Sequence, residues 1–412
     1  MSASPQNWQK EALKRRVRFA YGDSLASENR NDGDVPVFGS NGVVGTHDRS
    51  ITHAPAIVIG RKGSSGKVTW SDIPCFPIDT TYFVDRAQTR ENMRWLFYAL
   101  ESLELYKINF DSAVPGLSRE MAYSLPLVFP PLPEQQRIAA YLDASCAAID
   151  AAVAAKRRQL ETLNVLRRTV IQDTVTKGLD SEVLMASGID WLPQIPKHWI
   201  VTKLKRHAQM IRGQFSHRPR NDPAFYDGPY PFIQTGSISA VDKFITDFTQ
   251  TLNEDGLRIS KLFPADTVVM TITGAKIAEV AVTTFEACFP DSIVGFVPDH
   301  RLIRDFLYYL LVAMKEVLLR AMVVTTQPNI NYIQIGGNYI PLPPVAEQKL
   351  IVEYIEQRLQ DIGNIRSSLE AQITTLTAYR QSLIHECVTG QRRITEADAG
   401  QKQGSVQDVP TL

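Results

Sequence analysis

The chain contains itself twice. Glu134-Gln135 reappears as Glu347-Gln348, a shift of 213 residues. The same shift carries Pro130-Pro131 to Pro343-Pro344, Tyr141 to Tyr354, Ile149 to Ile362, Arg167 to Arg380 and Val175-Thr176 to Val388-Thr389. Upstream it carries Cys75-Phe76-Pro77 to Cys288-Phe289-Pro290, Phe83-Val84 to Phe296-Val297 and Pro115 to Pro328. Near the start of each half the shift is 191: Leu13-Lys14-Arg15 matches Leu204-Lys205-Arg206, and Gly22 matches Gly213. The second half therefore carries 22 extra residues between Gly213 and Cys288. So long a period in only two copies argues against a solenoid, whose short units stack on their neighbours. It predicts two similar domains related by a pseudo-twofold axis, one scaffold bearing two different surfaces.

Each copy reads as a globular unit followed by a long helix. The unit ends in a proline-rich stop, Phe129-Pro130-Pro131-Leu132-Pro133 and Pro341-Leu342-Pro343-Pro344. Proline cannot continue a strand or helix interior but suits a helix start. Apolar residues then recur at alternating steps of three and four: Val352, Ile355, Leu359, Ile362, Leu369, Ile373, Leu376 and Leu383 in the second copy. The first copy reads Ala139, Leu142, Cys146, Ile149, Val153, Leu160, Leu163 and Val170. Lys156, Arg167, Arg366 and Arg380 interrupt these stripes, either to fix register or to meet carboxylates of a partner. This is a coiled-coil seam. Two such helices in one chain can bury their stripes against each other, antiparallel, or each can pack on its own globular unit. Roughly 40 residues at about 1.5 Å each make a rod about 60 Å long, one to two turns of duplex DNA at about 34 Å per turn.

The globular units read as mixed, with strands dominant. Ala56-Ile57-Val58-Ile59 and Thr267-Val268-Val269-Met270 are β-branched and suit buried strands. Short helices are expected over Met93 to Leu105 and Arg304 to Leu319. The expected fold class is α+β: two domains of mixed α/β character joined by two long helices in an antiparallel coiled coil. The expected boundaries are a first domain at 1–133, a helical region at 134–178, a linker at 179–196, a second domain at 197–345, a second helical region at 346–391 and a disordered tail at 392–412.

With 412 residues the chain suits two to four domains, and 44% hydrophobic with 21% charged residues is an ordinary globular composition. Zero net charge argues against coating nucleic acid by charge alone. Local basic clusters exist: Lys203, Lys205, Arg206, Arg212, Arg218 and Arg220 lie within 20 residues free of Asp and Glu, and Lys10, Lys14, Arg15, Arg16 and Arg18 oppose only Glu11. They suit a phosphate backbone and equally a solvated face. No apolar run reaches membrane-span length, the start is polar, and Cys75, Cys146, Cys288 and Cys387 form no C-x-x-C pair, so a cytoplasmic, non-membrane protein without a metal site is expected.

Catalytic patterns are missing. Gly63-Ser64-Ser65-Gly66-Lys67 approaches a phosphate-binding loop, but Arg61 replaces its first glycine and Val68 follows the lysine. There is no dinucleotide fingerprint, no Asn-Pro-Pro-Tyr or Asp-Pro-Pro-Tyr segment of the amino-methyltransferases and no G-x-S-x-G elbow.

The arrangement resembles the specificity subunits of Type I restriction–modification enzymes over almost the whole chain. The marks are Pro130-Pro131-Leu132-Pro133-Glu134-Gln135-Gln136 and Pro343-Pro344-Val345-Ala346-Glu347-Gln348, each opening a long helix. The junction Lys177-Gly178-Leu179-Asp180, Ser187-Gly188-Ile189-Asp190-Trp191-Leu192 and Ile195-Pro196-Lys197-His198-Trp199 is another. Val35-Pro36-Val37-Phe38-Gly39 and Tyr230-Pro231-Phe232-Ile233 resemble the strand entering each recognition domain, and Gln327-Pro328-Asn329-Ile330-Asn331 is also similar. The first copy departs there, with Val114-Pro115-Gly116-Leu117-Ser118, so a polar role for Asn329 need not transfer.

The resemblance implies two target-recognition domains, each reading half of a split sequence in double-stranded DNA. It implies helices that form the spacer and dock two modification subunits, which methylate adenine with S-adenosylmethionine. It also implies restriction/translocase subunits working with ATP and magnesium. This chain would carry no cofactor and no catalytic residue. A Type IIB-like system, with a fused nuclease–methyltransferase partner, shares the architecture. A purely structural coiled-coil adaptor is the alternative of another class, and it gives no reason for two divergent globular units.

Base edges want Arg or Lys for guanine and Asn or Gln for adenine, while Ser and Thr adapt; phosphates want Lys, Arg and backbone N–H groups. On loops leaving the strands, the first domain offers Ser40, Asn41, Arg61, Lys62, Ser64, Ser65 and Lys67. The second offers Gln214, Ser216, His217, Arg218, Arg220, Gln234, Thr235, Ser237, Thr271, Thr273 and Lys276. Several are equally turn residues. Arg61→Ala is expected to weaken one half-site more than the other; equal loss at every sequence would mark a phosphate contact.

Overall fold

A computed structural model of the chain describes residues 7–108, 116–179, 183–217, 221–274, 276–320 and 329–400. Residues 1–158 with 369–412 form one compact unit, and 159–368 form another. Both are built on the same strand plan. In the first, a four-stranded antiparallel sheet is ordered Ala20–Tyr21, Thr81–Val84, Ala56–Gly60 (β1) and Val68–Ser71 (β2). In the second, five strands are ordered Ala208–Arg212, Ile293–Pro298, Val268–Thr271 (β3), Val280–Thr283 (β4) and Phe244–Ile245. β1 and β3 are the runs that the β-branched pattern marks, and both are buried along their whole length.

A short ladder shows both repeat shifts at once. Gln9 pairs with Phe129 and Ile200 with Leu342, so residues 191 apart meet residues 213 apart in the same register. The insertion lies mainly between Gly213 and β3. It supplies the helix Thr235–Ala240, the parallel edge strand Phe244–Ile245 and the helix Glu254–Arg258, where the first domain has the 3-10 turn Ser27–Asn29 and the hairpin Val35–Gly39 with Gly42–His47. The helix Met93–Ser102 starts where Asn92 accepts a hydrogen bond from the Trp95 amide. The expected helix over Arg304–Leu319 is two helices, Arg304–Ala313 and Lys315–Arg320, broken at Met314.

The long helices are Leu132–Lys177 (α1) and Val345–Thr389 (α2). Their Glu-Gln openings bind each helix to its domain. Trp8 Nε1 donates to Glu134 at 3.0 Å, and Trp199 Nε1 donates to Glu347 at 2.9 Å. Gln135 accepts from the Asn92 amide at 2.8 Å and donates to the Pro130 carbonyl at 2.8 Å. Gln348 accepts from the Ile303 amide at 2.9 Å and donates to the carbonyls of Arg301 at 2.7 Å and Pro343 at 2.9 Å. Both glutamines are buried, so these bonds replace the water they have lost.

In the first unit, Ile138, Leu142, Cys146 and Ile149 of α1 share a core with Leu383, Ile384, Cys387 and Val388 of α2 and with Leu13, Trp95 and Leu100 of the domain. In the second, Ile171 and Val175 of α1 join Ile351, Val352 and Ile355 of α2 over Phe306 and Leu310. Each domain is thus covered by the start of its own helix and the end of the other, so the two packing alternatives coexist. One stretch of α1 is long and apolar enough to cross a membrane by composition, which a search for unbroken apolar runs overlooks because alanines supply much of it. Its large apolar side chains are core residues of the first unit.

Two segments differ from expectation. The linker holds a hairpin, Leu184–Ile189 with Leu192–Pro196, and Leu192 and Ile195 are buried in the second core. The tail is structured as far as it is described: Ile394 is buried in the first core, the Arg392 guanidinium lies 5.3 Å from the Tyr141 ring, and Glu396–Gly400 is helical. One apolar residue in a polar segment sets no period, which is why the pattern missed it. Residues 401–412 lie outside the described residues.

The seam cations pair within the chain. Arg380 donates to Glu101 at 2.7 Å and ion-pairs with Asp150 at 3.3 Å, and Lys156 donates to Gln372. Rising numbers on α1 meet falling numbers on α2, so the helices run antiparallel in this unit. Arg167, the repeat mate of Arg380, meets Asp242 only at 3.9 Å, and that aspartate is fully exposed. Arg380→Met is therefore expected to destabilise the first unit by about 2 kcal/mol by stranding the Glu101 carboxylate. Arg167→Met should leave urea unfolding unchanged. Equal effects at the two sites would refute this assignment.

Candidate nucleic-acid interface

The β1–β2 and β3–β4 connections occupy the same place in the two domains. Lys62 bridges to Gly116 and Thr273 to Asn329; Gly116 and Asn329 are 213 residues apart, Lys62 and Thr273 211. The Leu117 amide donates to the Arg61 carbonyl and the Ile330 amide to the Ile272 carbonyl. Arg61 thus matches Ile272, which is buried. The loops turn on Gly63, Gly66 and Gly274, all at positive φ.

In the first loop Lys62, Ser64 and Lys67 are exposed, while Ser65 is buried. Lys67 donates to both the carbonyl and the side-chain oxygen of Asn41, at 2.8 and 2.9 Å, which joins the two loop tips. Ser40 donates to the Thr80 carbonyl at 2.6 Å. Arg61 donates to the Asp79 carbonyl at 3.1 Å and forms no ion pair among the described residues.

The second domain spreads its candidates over two regions. Thr273 is half-buried and Lys276 exposed on the β3–β4 loop. Thr271 is corrected: it is fully buried, donates to the Lys276 carbonyl and accepts from the Glu279 amide, so it shapes the loop and does not face solvent. Gln214 donates to Ser216 at 3.1 Å, and Gln234 donates to Gln250 at 3.1 Å. Thr235 and Ser237 lie on the helix Thr235–Ala240. His217 stacks on Phe225 at 4.5 Å and meets Asp222 at 3.1 Å. Arg218 and Arg220 lie outside the described residues.

Two open clefts flank these surfaces at matching places. In the first unit a cleft of about 830 Å³ separates Ser64–Lys67 from Thr377, Arg380, Gln381 and His385 of α2. In the second, about 680 Å³ lies between Asp242 and Glu279 and the α1 residues Arg167, Arg168 and Gln172.

Sequence reasoning singled out neither Tyr21 nor Arg119. Tyr21 is half-exposed, and the guanidinium carbons of Arg61 and Arg119 stand 5.1 and 4.8 Å from its ring centroid. The available signal was Tyr21 beside the matched glycine Gly22, where the other copy has Arg212 beside Gly213.

The cysteines are buried, and burial pushes the thiols of Cys75 and Cys288 up and that of Cys146 to about 11, so they stay protonated near neutrality. Among the described residues no group of three His, Cys, Asp or Glu is placed to hold a metal ion.

A family model for the Type I restriction modification DNA specificity domain matches the chain twice, at residues 5–162 and 217–375. The chain is 23% identical over 314 residues to the Type I restriction enzyme MjaVIII specificity subunit of Methanocaldococcus jannaschii, covering 73% of this chain and 70% of that one. It is 21% identical over 349 residues to the Type I restriction enzyme EcoBI specificity subunit of Escherichia coli, covering 81% and 73%. Its fold is shared with a chain solved in work on complex assembly and conformational transition of the type I R-M system, at TM-score 0.73 and 16% identity, over 95% of this chain and all of that one. The HsdS subunit from Thermoanaerobacter tengcongensis follows at TM-score 0.52 and 16% identity, over 95% and 99%. With both repeats matched, the chain belongs to the DNA specificity subunits of Type I restriction–modification systems.

Proposed function

We propose that this chain reads the two arms of a split sequence in double-stranded DNA, one with each domain. Its long helices space the domains and dock two methyltransferase subunits. The partners supply S-adenosylmethionine-dependent methylation of adenine and, through restriction/translocase subunits, ATP-driven translocation and cleavage. This chain selects the site and performs no chemistry. The observation that carries the reading is one scaffold bearing two unlike loops: Arg61-Lys62-Gly63-Ser64-Ser65-Gly66-Lys67 against Ile272-Thr273-Gly274 and Lys276. Equivalent geometry with different side chains suits two arms of different sequence. A scaffolding adaptor would have no use for that divergence.

The test is to coexpress the chain with the methyltransferase subunit of its own system and map methylated adenines across the host genome. A split motif with a fixed gap, lost when this chain is omitted, is expected. An assembled complex that methylates nothing would refute the reading. Within it, Lys276→Ala is expected to relax one arm of the motif and slow methylation roughly tenfold, the loss of one base contact. Slowing without any change of sequence would make Lys276 a phosphate contact.

A further inference from the structure

We infer that Arg61, Tyr21 and Arg119 form a clamp for the phosphate backbone of DNA, present in the first recognition domain and, among the described residues, absent from the second. The inference rests on the DNA-reading function proposed above and names residues and a chemical target that it leaves open.

Tyr21 lies on the edge strand of the first sheet, Arg61 opens the β1–β2 loop, and Arg119 begins the helix Arg119–Ser124. Three segments distant in sequence thus bring two guanidinium groups onto one half-exposed ring. Tyr82 and Tyr123 extend the aromatic bed, the first 5.8 Å from Arg61 and the second 5.8 Å from Arg119. Tyr82 is anchored by its hydroxyl to the Leu117 carbonyl, and Tyr123 accepts from the Phe19 amide. Stacking fixes each guanidinium plane and leaves its edges to donate.

The charges are hardly compensated. Arg61 uses one nitrogen on the Asp79 carbonyl. Among the described residues Arg119 meets only the exposed Glu120, at 3.8 Å, and its buried Nε has no hydrogen-bond partner. Lys62 follows Arg61 and is exposed. Two cations each about 5 Å from one ring stand at most about 10 Å apart, close enough to serve neighbouring phosphates of one strand. A row of phosphates satisfies both; a single guanine edge engages only one arginine.

The repeat makes the cluster specific to one half. Gly22 and Gly213 approach matching carbonyls, and the helices Arg119–Ser124 and Tyr332–Gly337 are capped by the matching residues Ser118 and Asn331. With the loop bonds aligned as well, Tyr21, Arg61 and Arg119 become Arg212, Ile272 and Tyr332, at shifts of 191, 211 and 213. The contacts that hold the scaffold, Trp8 to Glu134 and Trp199 to Glu347, recur. What recurs builds the fold, and what does not recur is free to meet DNA. In this proposal Arg61 touches the backbone; a change at one half-site alone would instead mark a base contact, as the sequence-based expectation has it.

The test measures binding of the assembled methyltransferase complex to two labelled duplexes as salt is varied: one with the mapped split motif and one of unrelated sequence. Arg119→Ala is expected to weaken both about fivefold at about 0.15 M salt and to lower the slope of log K against log salt by about 1. The Arg61→Ala, Arg119→Ala double variant should lower the slope by about 2, with the methylated motif unchanged. Gln substitutions, which keep the stems, carry the same expectation should the alanine variants not assemble. An unchanged slope, or an altered motif at constant slope, overturns the clamp. If wild-type complex methylates no split motif, the DNA-reading function fails first; if it does and these variants bind like wild type, only the clamp fails.

Discussion

Gln348→Leu is expected to destabilise the second unit by about 3 kcal/mol or more, although the new side chain has similar size and full apolar character. Gln348 is fully buried and makes three hydrogen bonds, to the Ile303 amide and to the carbonyls of Arg301 and Pro343. Leucine leaves three main-chain groups without partners, each costing about 1–3 kcal/mol when water cannot reach it. The transfer gain from an added apolar side chain, about 1.5–3 kcal/mol at most, offsets only part of that. Those bonds tie the first turn of α2 to the start of the helix Arg304–Ala313, so the domain also loses its seat on the helix. Urea unfolding of the full chain checks the loss. Gln135→Leu should cost less, because its third partner is the side chain of Glu91, which also meets Arg16. A loss below about 1 kcal/mol for Gln348→Leu would mean that water takes over the three bonds.

Gly213→Ala and Gly22→Ala are expected to be matched defects of about 3 kcal/mol each, the upper end for overpacking. A Cβ on Gly213 would stand 2.1 Å from the Pro290 carbonyl oxygen and 2.7 Å from that of Phe289. One on Gly22 would stand 2.1 Å from the Ile78 oxygen and 2.5 Å from that of Pro77. All four obstacles are backbone, so no side chain can swing aside. The crossing is also held by hydrogen bonds, from the Gly213 amide to the Ile293 carbonyl at 2.9 Å and from the Gly22 amide to that of Thr81 at 3.1 Å. Relief requires moving a strand that carries Tyr21 or Arg212. Thermal unfolding of the two variants should show equal losses. An alanine tolerated at either position would show that the close approach is not needed for the fold.

Much of the fold was legible because periodicity and repetition are properties of the chain itself. β1 and β3 could be read from β-branched runs, and α1 and α2 from steps of three and four behind paired prolines. The Glu-Gln pair marked each helix start but not its purpose, since its partners Trp8 and Trp199 lie 126 and 148 residues away. Ile394 and the 184–196 hairpin were missed because a single buried side chain, or two short strands with few buried side chains, leaves no clear period. The candidate site was legible as a loop, not as a surface. Arg61 and Lys276 could be named from their chemistry, but so could Thr271, whose burial depends on a turn closed by its own hydroxyl.

By itself the sequence determined that this protein is a duplicated scaffold with two helices and two unlike faces, because residues at constant spacing must play the same part twice. Only the tertiary structure decided which cations are committed to close carboxylates and which, among the described residues, are not. Arg380 and Arg167 occupy one repeat position, yet one is held by Glu101 and Asp150 and the other meets a single exposed aspartate at 3.9 Å. Arg61 and Arg119 are 58 residues apart in the chain, and Tyr21 joins them because strand, loop and helix end at the same ring. Whether a charge is neutralised depends on distances of a few ångströms between segments remote along the chain, and linear spacing does not encode those distances.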